Sequence, residues 1–219
     1  GDEARRGAAL EKLCRLYWRP LRAFAERRGA SRPDAEDLTQ GFLADLVGRG
    51  ALTRADPSRG RFRSFLLAAF KHYIAHQRAR AGRQKRGGGY EFVQLEALPG
   101  AGAAVVAASD VAGDDRRFDR EWALQLLDGV LGALRDEYAT AGRAALFDVL
   151  KAALWGGRGG VDYAALAPKL GMTAGAVQVA AHRLRRRFSE QLRAEVARTV
   201  LDPREVDDEV RHLIAAVAE

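Results

Sequence analysis

The stretch 161–199, VDYAALAPKLGMTAGAVQVAAHRLRRRFSEQLRAEVART, admits few folds. Tyr163, Leu166, Ala167 and Leu170 space a short helix, Gly171 supplies a tight turn, and Thr173 is a good N-cap for a second, longer helix. Val177, Ala181, Leu184, Phe188, Leu192 and Val196 recur every three or four residues along that second helix. At ~100° per residue they form one stripe that faces a core. The pattern reads as a helix-turn-helix. Opposite the stripe lie Gly175, Val179, His182, Arg183 and Arg186, with Gln178, Arg185 and Arg187 on the flanks. A recognition helix enters the major groove with its N-terminal residues at base edges, while later cations hold phosphates. Thr173, Ala174, Gln178 and His182 are therefore expected to read DNA, and Arg183 and Arg186 to clamp it. Pro168 opposes the pattern, because a proline inside a helix removes a backbone bond and costs about 3 kcal/mol unless a kink accommodates it.

The rest of the chain also has helical spacing. Leu10, Leu13, Cys14, Tyr17, Trp18, Leu21 and Phe24 mark a first helix or a pair kinked at Pro20. Gly29 ends it, and Ser31-Arg32-Pro33-Asp34 opens another with the proline in its first turn, where it is tolerated. That second helix buries Ala35, Leu38, Phe42, Leu43 and Leu46 and turns Asp34, Glu36, Asp37, Gln40 and Asp45 outward, an acidic face in a chain of net charge +7. Solvation and complementarity to the helix dipole suffice to explain such a face taken alone.

A turn-rich loop, 48–60, precedes a third helix with Phe62, Phe65, Leu66, Ala69, Phe70, Tyr73 and Ile74 at helical spacing. From Arg59 to Arg86 there are nine Lys or Arg and no acid. Self-repulsion in so unbalanced a segment opposes folding unless an anion offsets it. Aromatics interleaved with cations suit single-stranded nucleic acid, whose bases stack on rings while phosphates meet charges. His72 and His76 stand four apart, a metal-ligand spacing, but with neither Cys nor Glu nearby they read as basic-surface histidines.

Residues 87–115 are rich in Gly and Ala without a sustained period and read as a linker, with EFVQLE as a short extended piece. A second helical block begins near Arg116, with Phe118, Trp122, Leu126, Leu127, Val130, Leu131, Leu134 and Tyr138 in one stripe and Ala145, Leu146, Val149, Leu150, Ala153 and Leu154 in the next. After Pro203, the residues Val206, Val210, Leu213, Ile214 and Val217 mark a last amphipathic helix. The expected fold is all-α: two helical bundles, 1–86 and 116–201, on a flexible linker, 87–115, with a helical extension, 202–219.

The charge favours an acidic partner, by default nucleic acid. With 30% charged residues and no apolar run approaching ~20 residues, no membrane insertion is expected. One cysteine, Cys14, excludes an internal disulfide framework and a cysteine-based zinc site, and a reducing cytoplasm is the simplest setting. No signal peptide is visible, and the chain opens on Gly1 rather than an initiating Met.

The segments DAEDLTQGFL at 34–43, RGRFRSFLLAAFKHYI at 59–74 and YAALAPKLGMTAGAVQVAAHRLRRRF at 163–188, in this order and separation, resemble a bacterial RNA polymerase sigma factor of the extracytoplasmic-function type. The resemblance covers nearly the whole chain. It implies that 1–86 is similar to sigma domain two, whose acidic helix docks on the β′ clamp helices of core RNA polymerase; Asp37 and Gln40 match, with Asp34 and Glu36 beside them. It implies that the basic helix recognises and melts the minus-ten promoter element through Arg61, Phe62, Arg63, Phe65, Lys71, His72, Tyr73 and Arg80. It implies that 116–201 is similar to domain four, which docks on the β flap and reads the minus-35 element through the helix after Thr173.

Such a factor has no catalysis of its own and requires no cofactor, since the phosphodiester chemistry belongs to the polymerase; an anti-sigma factor is a further partner the resemblance admits. Gly41 falls where the family motif usually has Glu or Asp, which removes a β′ contact and costs the helix about 1 kcal/mol relative to Ala. Two other readings compete. A stand-alone helix-turn-helix regulator leaves the acidic and the basic aromatic helices unused. A sigma mimic that binds a regulator does not need so many arginines on both DNA-facing helices.

Overall fold

The computed structural model describes residues 2–48, 62–84, 108–155, 161–200 and 202–218. Among them every regular element is helical. The helices are α1 (Asp2–Arg27), α2 (Arg32–Gly48), α3 (Phe62–Gln84), α4 (Ala108–Thr140), α5 (Ala144–Leu150), α6 (Tyr163–Leu170), α7 (Ala174–Ala197) and α8 (Val206–Ala218). Short 3₁₀ turns, Lys151–Trp155 and Pro203–Glu205, follow α5 and precede α8.

Helix α1 runs through Pro20 as a single element. Gly29, at φ 87°, ends the first turn connection in the left-handed region that a side chain resists. Ser31 then caps α2: its carbonyl accepts from Ala35 N at 2.8 Å and its hydroxyl oxygen accepts from Asp34 N at 3.3 Å. Helix α3 lies on α1 and α2 through rings, with Phe70 5.0 Å from Phe42 and 6.2 Å from Phe24 between centroids.

The spine of the molecule is α4. Phe118, Trp122, Ala123, Leu126, Leu127, Val130 and Leu134 are all buried, at the three- and four-residue steps of one helix face. The first half of α4 packs on α1, with the Phe118 ring 6.5 Å from Phe24. The second half packs on α5 and α7, with Tyr138 5.7 Å from Phe147 and the Arg187 guanidinium donating to Glu137. Residues 108–115, expected in the linker, are instead the first turns of this helix. Because α4 serves both halves, one continuous apolar core runs from Tyr17 to Leu213. Residues 49–61 and 85–107, which include Arg61 and the EFVQLE piece, lie outside the described residues.

Gly41 has a tertiary reason. A Cβ at this position would lie 2.5 Å from Tyr73 Oη, closer than any real contact. The ring of Tyr73 is itself fixed against Phe42, 5.7 Å between centroids, so the hydroxyl has little room to retreat. Gly41→Ala is therefore expected to destabilise the fold by about 1 kcal/mol although alanine is the better helix former. In a Tyr73→Phe background the same substitution is expected to stabilise. Thermal melts of the four proteins check this change of sign.

Candidate nucleic-acid interface

The helix-turn-helix forms as the spacing predicts. Asp162 caps α6 by accepting from Ala165 N, and Gly171 closes it at φ 60°. Thr173 caps α7, its Oγ1 accepting from Ala176 N at 3.2 Å. Val177, Ala181, Leu184, Leu192 and Val196 are buried, and Phe188 is half-buried under the exposed Trp155 ring. Pro168 is tolerated without ending the helix. It lies near the exposed C-terminal end of α6, and the carbonyl deprived of a donor is that of exposed Ala164, within reach of water.

The outer face of α7 presents Thr173, Ala174, Gln178, His182, Arg183 and Arg186, all exposed. Arg186 is 77% exposed and its Nε donates to Glu190 at 3.1 Å, a solvent-screened pair that a phosphate can displace. The flanking arginines have other uses. Arg185 donates to the Ala153 carbonyl at 3.0 Å, and Arg187 binds Glu137 through both Nε and Nη2, which holds its guanidinium above its ordinary pKa. These two fasten α7 to its neighbours.

On α2 the residues Asp34, Asp37, Gln40, Ala44 and Val47 are exposed at steps of three and four, one continuous outward stripe. Glu36 stands apart, engaged by Arg22 and Arg32 at 3.3 Å each.

Helix α3 departs most from expectation. Phe62 is interior, edge-on to Tyr17 at 5.9 Å, and the hydroxyl of Tyr17 is pushed up in pKa by the same burial. Arg63, expected at DNA, is 3% exposed. Its Nε donates to Asp119 at 2.9 Å, its Nη1 donates to Glu209 of α8, and its plane lies 5.2 Å from the Trp122 ring centroid. The His212 Nε2 lies 2.8 Å from the second oxygen of Asp119. Lys71 donates to Asp115 and sits 5.7 Å from the Phe24 ring. Phe65 and Tyr73 are half-buried, while His72 and Arg80 are exposed. Two expected DNA contacts, Phe62 and Arg63, are thus corrected to interior residues. The reason is that Phe62 packs on Tyr17 of α1, while Asp119 and Trp122 of α4 and Glu209 of α8 enclose Arg63.

Asp115, Asp119 and Glu209 escaped the sequence reading although a signal existed. Glu209 stands three after Val206 and four before Leu213, on the apolar stripe of its helix, and Arg63 stands three and four before Leu66 and Leu67 on the stripe of α3. Opposite charges on two buried stripes are candidates to meet. No helix among the described residues is long and apolar enough to cross a membrane. Comparison with protein-family models, with curated proteins and with solved structures finds no match to this chain.

Proposed function

We propose that the chain is a dissociable transcription initiation factor of the sigma type, working in the cytoplasm. It docks on core RNA polymerase through Asp34, Asp37 and Gln40 of α2 and reads promoter DNA with α3 and α7. The supporting observation is the division of charge. A chain of net charge +7 keeps an outward acidic stripe on α2 and an outward row of hydrogen-bonding and cationic side chains on α7. An acidic face in such a chain suits a basic protein surface, whereas the α7 face suits a duplex. In this reading 1–86 and 116–201 act as two units on the polymerase, joined through 87–115. The α7 unit binds DNA weakly and with little selectivity when separate.

The test is co-elution with purified core polymerase on gel filtration. A stable complex is expected. Separate elution together with duplex binding would overturn the sigma reading and leave a stand-alone helix-turn-helix regulator. Arg186→Ala is expected to weaken duplex binding and to lower the slope of log affinity against log salt by about 0.9, one phosphate contact. Anisotropy titrations at several salt concentrations measure both.

A further inference from the structure

Val179 stands in the middle of the outward face of α7. It lies nine residues before Phe188 of the core stripe, about two and a half helical turns, and so on the opposite side of the helix. It is 50% exposed, the one large apolar side chain that α7 leaves outward. A helical side chain leans toward the turn before its own, and one turn before Val179 is Gly175. Gly175 is exposed, with open space where a Cβ would stand, so nothing at that position covers the methyl groups of Val179. Around this small apolar spot the exposed side chains are polar or cationic: Gln178 on one flank, His182 three residues on, then Arg183 and Arg186.

A single exposed valine is ordinary on a protein surface. On a face that meets a duplex it makes a choice among bases. The apolar group that a base pair shows in the major groove is the C5 methyl of thymine, whereas cytosine shows an amino donor there and the purines show an N7 acceptor. Valine can pair with neither, so a donor or acceptor set against it gives up water without a replacement. We propose that Val179 is a specificity-determining residue of α7 and packs on a pyrimidine C5 methyl group, that of thymine. This rests on the reading of the α7 face as a duplex-binding surface. The O4 acceptor of the same thymine is left to the flanking donors, Gln178 and His182. Arg183 and Arg186 hold phosphates and supply affinity, while Val179 carries no charge and supplies selectivity.

The test immobilises the full chain through a tag, with core polymerase present, and selects retained duplexes from a randomised pool. The enriched element is then rebuilt with each thymine in turn replaced by deoxyuridine, which removes the methyl group alone. One replacement is expected to weaken binding about fourfold, or ~0.8 kcal/mol, the value of one buried methyl. Val179→Ala is expected to bind the thymine and deoxyuridine duplexes equally and to keep the parent salt slope, since no phosphate contact is lost. A thermal melt checks that this exposed substitution leaves the fold intact. Cytosine and 5-methylcytosine at the same place separate the two sources of a C5 methyl. Thymine is expected to bind tightest, and 5-methylcytosine binding more tightly than thymine would overturn the assignment. An enriched element without thymine, no deoxyuridine effect at any position, or an effect that survives undiminished in Val179→Ala would overturn it as well and leave α7 on duplex DNA. With no enriched element, the duplex reading of α7 fails and this inference with it. Binding to core polymerase is read separately by co-elution.

Discussion

Glu209→Ala is expected to destabilise the chain by about 2–3 kcal/mol, because it removes one of the acids that compensate the buried Arg63 charge. The residue and Arg63 are each 3% exposed, so the intact pair is shielded from water. Asp119 still accepts from Arg63 Nε and also faces His212. The melting temperature is expected to fall by on the order of 10 °C for a chain of this size. Replacing both partners by apolar residues, Arg63→Met with Glu209→Leu, is expected to recover part of the loss, because neither of those charges is then buried, while Asp119 keeps only His212. Thermal and urea denaturation of wild type, the single variant and the double variant measure this directly. A single variant within about 0.5 kcal/mol of wild type, the range of ordinary surface changes, would show that the pair is not interior in solution.

The second large effect concerns binding. Asp37→Arg reverses a charge at the middle of the outward stripe on α2, between Asp34 and Gln40. If that stripe meets a basic surface on core polymerase, the reversal sets like charges together at a cost of several kcal/mol. A loss of affinity of about a hundredfold or more follows, since each factor of ten corresponds to about 1.4 kcal/mol. The fold should be unaffected, because Asp37 is exposed and lies away from the Ser31 cap that starts the helix. Equilibrium binding to core polymerase, with a thermal melt as the control for folding, separates the two effects. Asp128→Arg on α4 is the specificity control and is expected to leave the affinity within about twofold, as a charge outside the stripe.

What could be read from the sequence was whatever depends on neighbours three or four residues away. The register of α7, the cap at Thr173, the turn at Gly171 and the outward position of Asp34, Asp37 and Gln40 all follow from local periodicity and backbone preference. The contacts between distant segments were not accessible in that way. Phe62 and Arg63 carry the composition of a nucleic-acid contact, and only the arrival of Asp119 and Glu209 from 56 and 146 residues away makes Arg63 interior. Gly41 is the same case in miniature, since its reason is the hydroxyl of Tyr73 on another helix.

Composition misled at 108–115, where small residues with no apolar period suggested a linker. Those turns instead carry Asp114 and Asp115, which answer the cations Arg28 and Lys71 across the interface. Ile214 shows the limit of a helical wheel: it completes an apolar stripe on paper, yet it is 58% exposed while its neighbour Leu213 fills the core.

The most direct measurement of the proposed function is transcription by core polymerase plus this chain on a pool of templates with randomised upstream sequence. The expected result is transcripts from templates that share two short elements at a fixed spacing, one melted by α3 and one read by α7. Transcripts no more frequent or selective than those of core polymerase alone would contradict it.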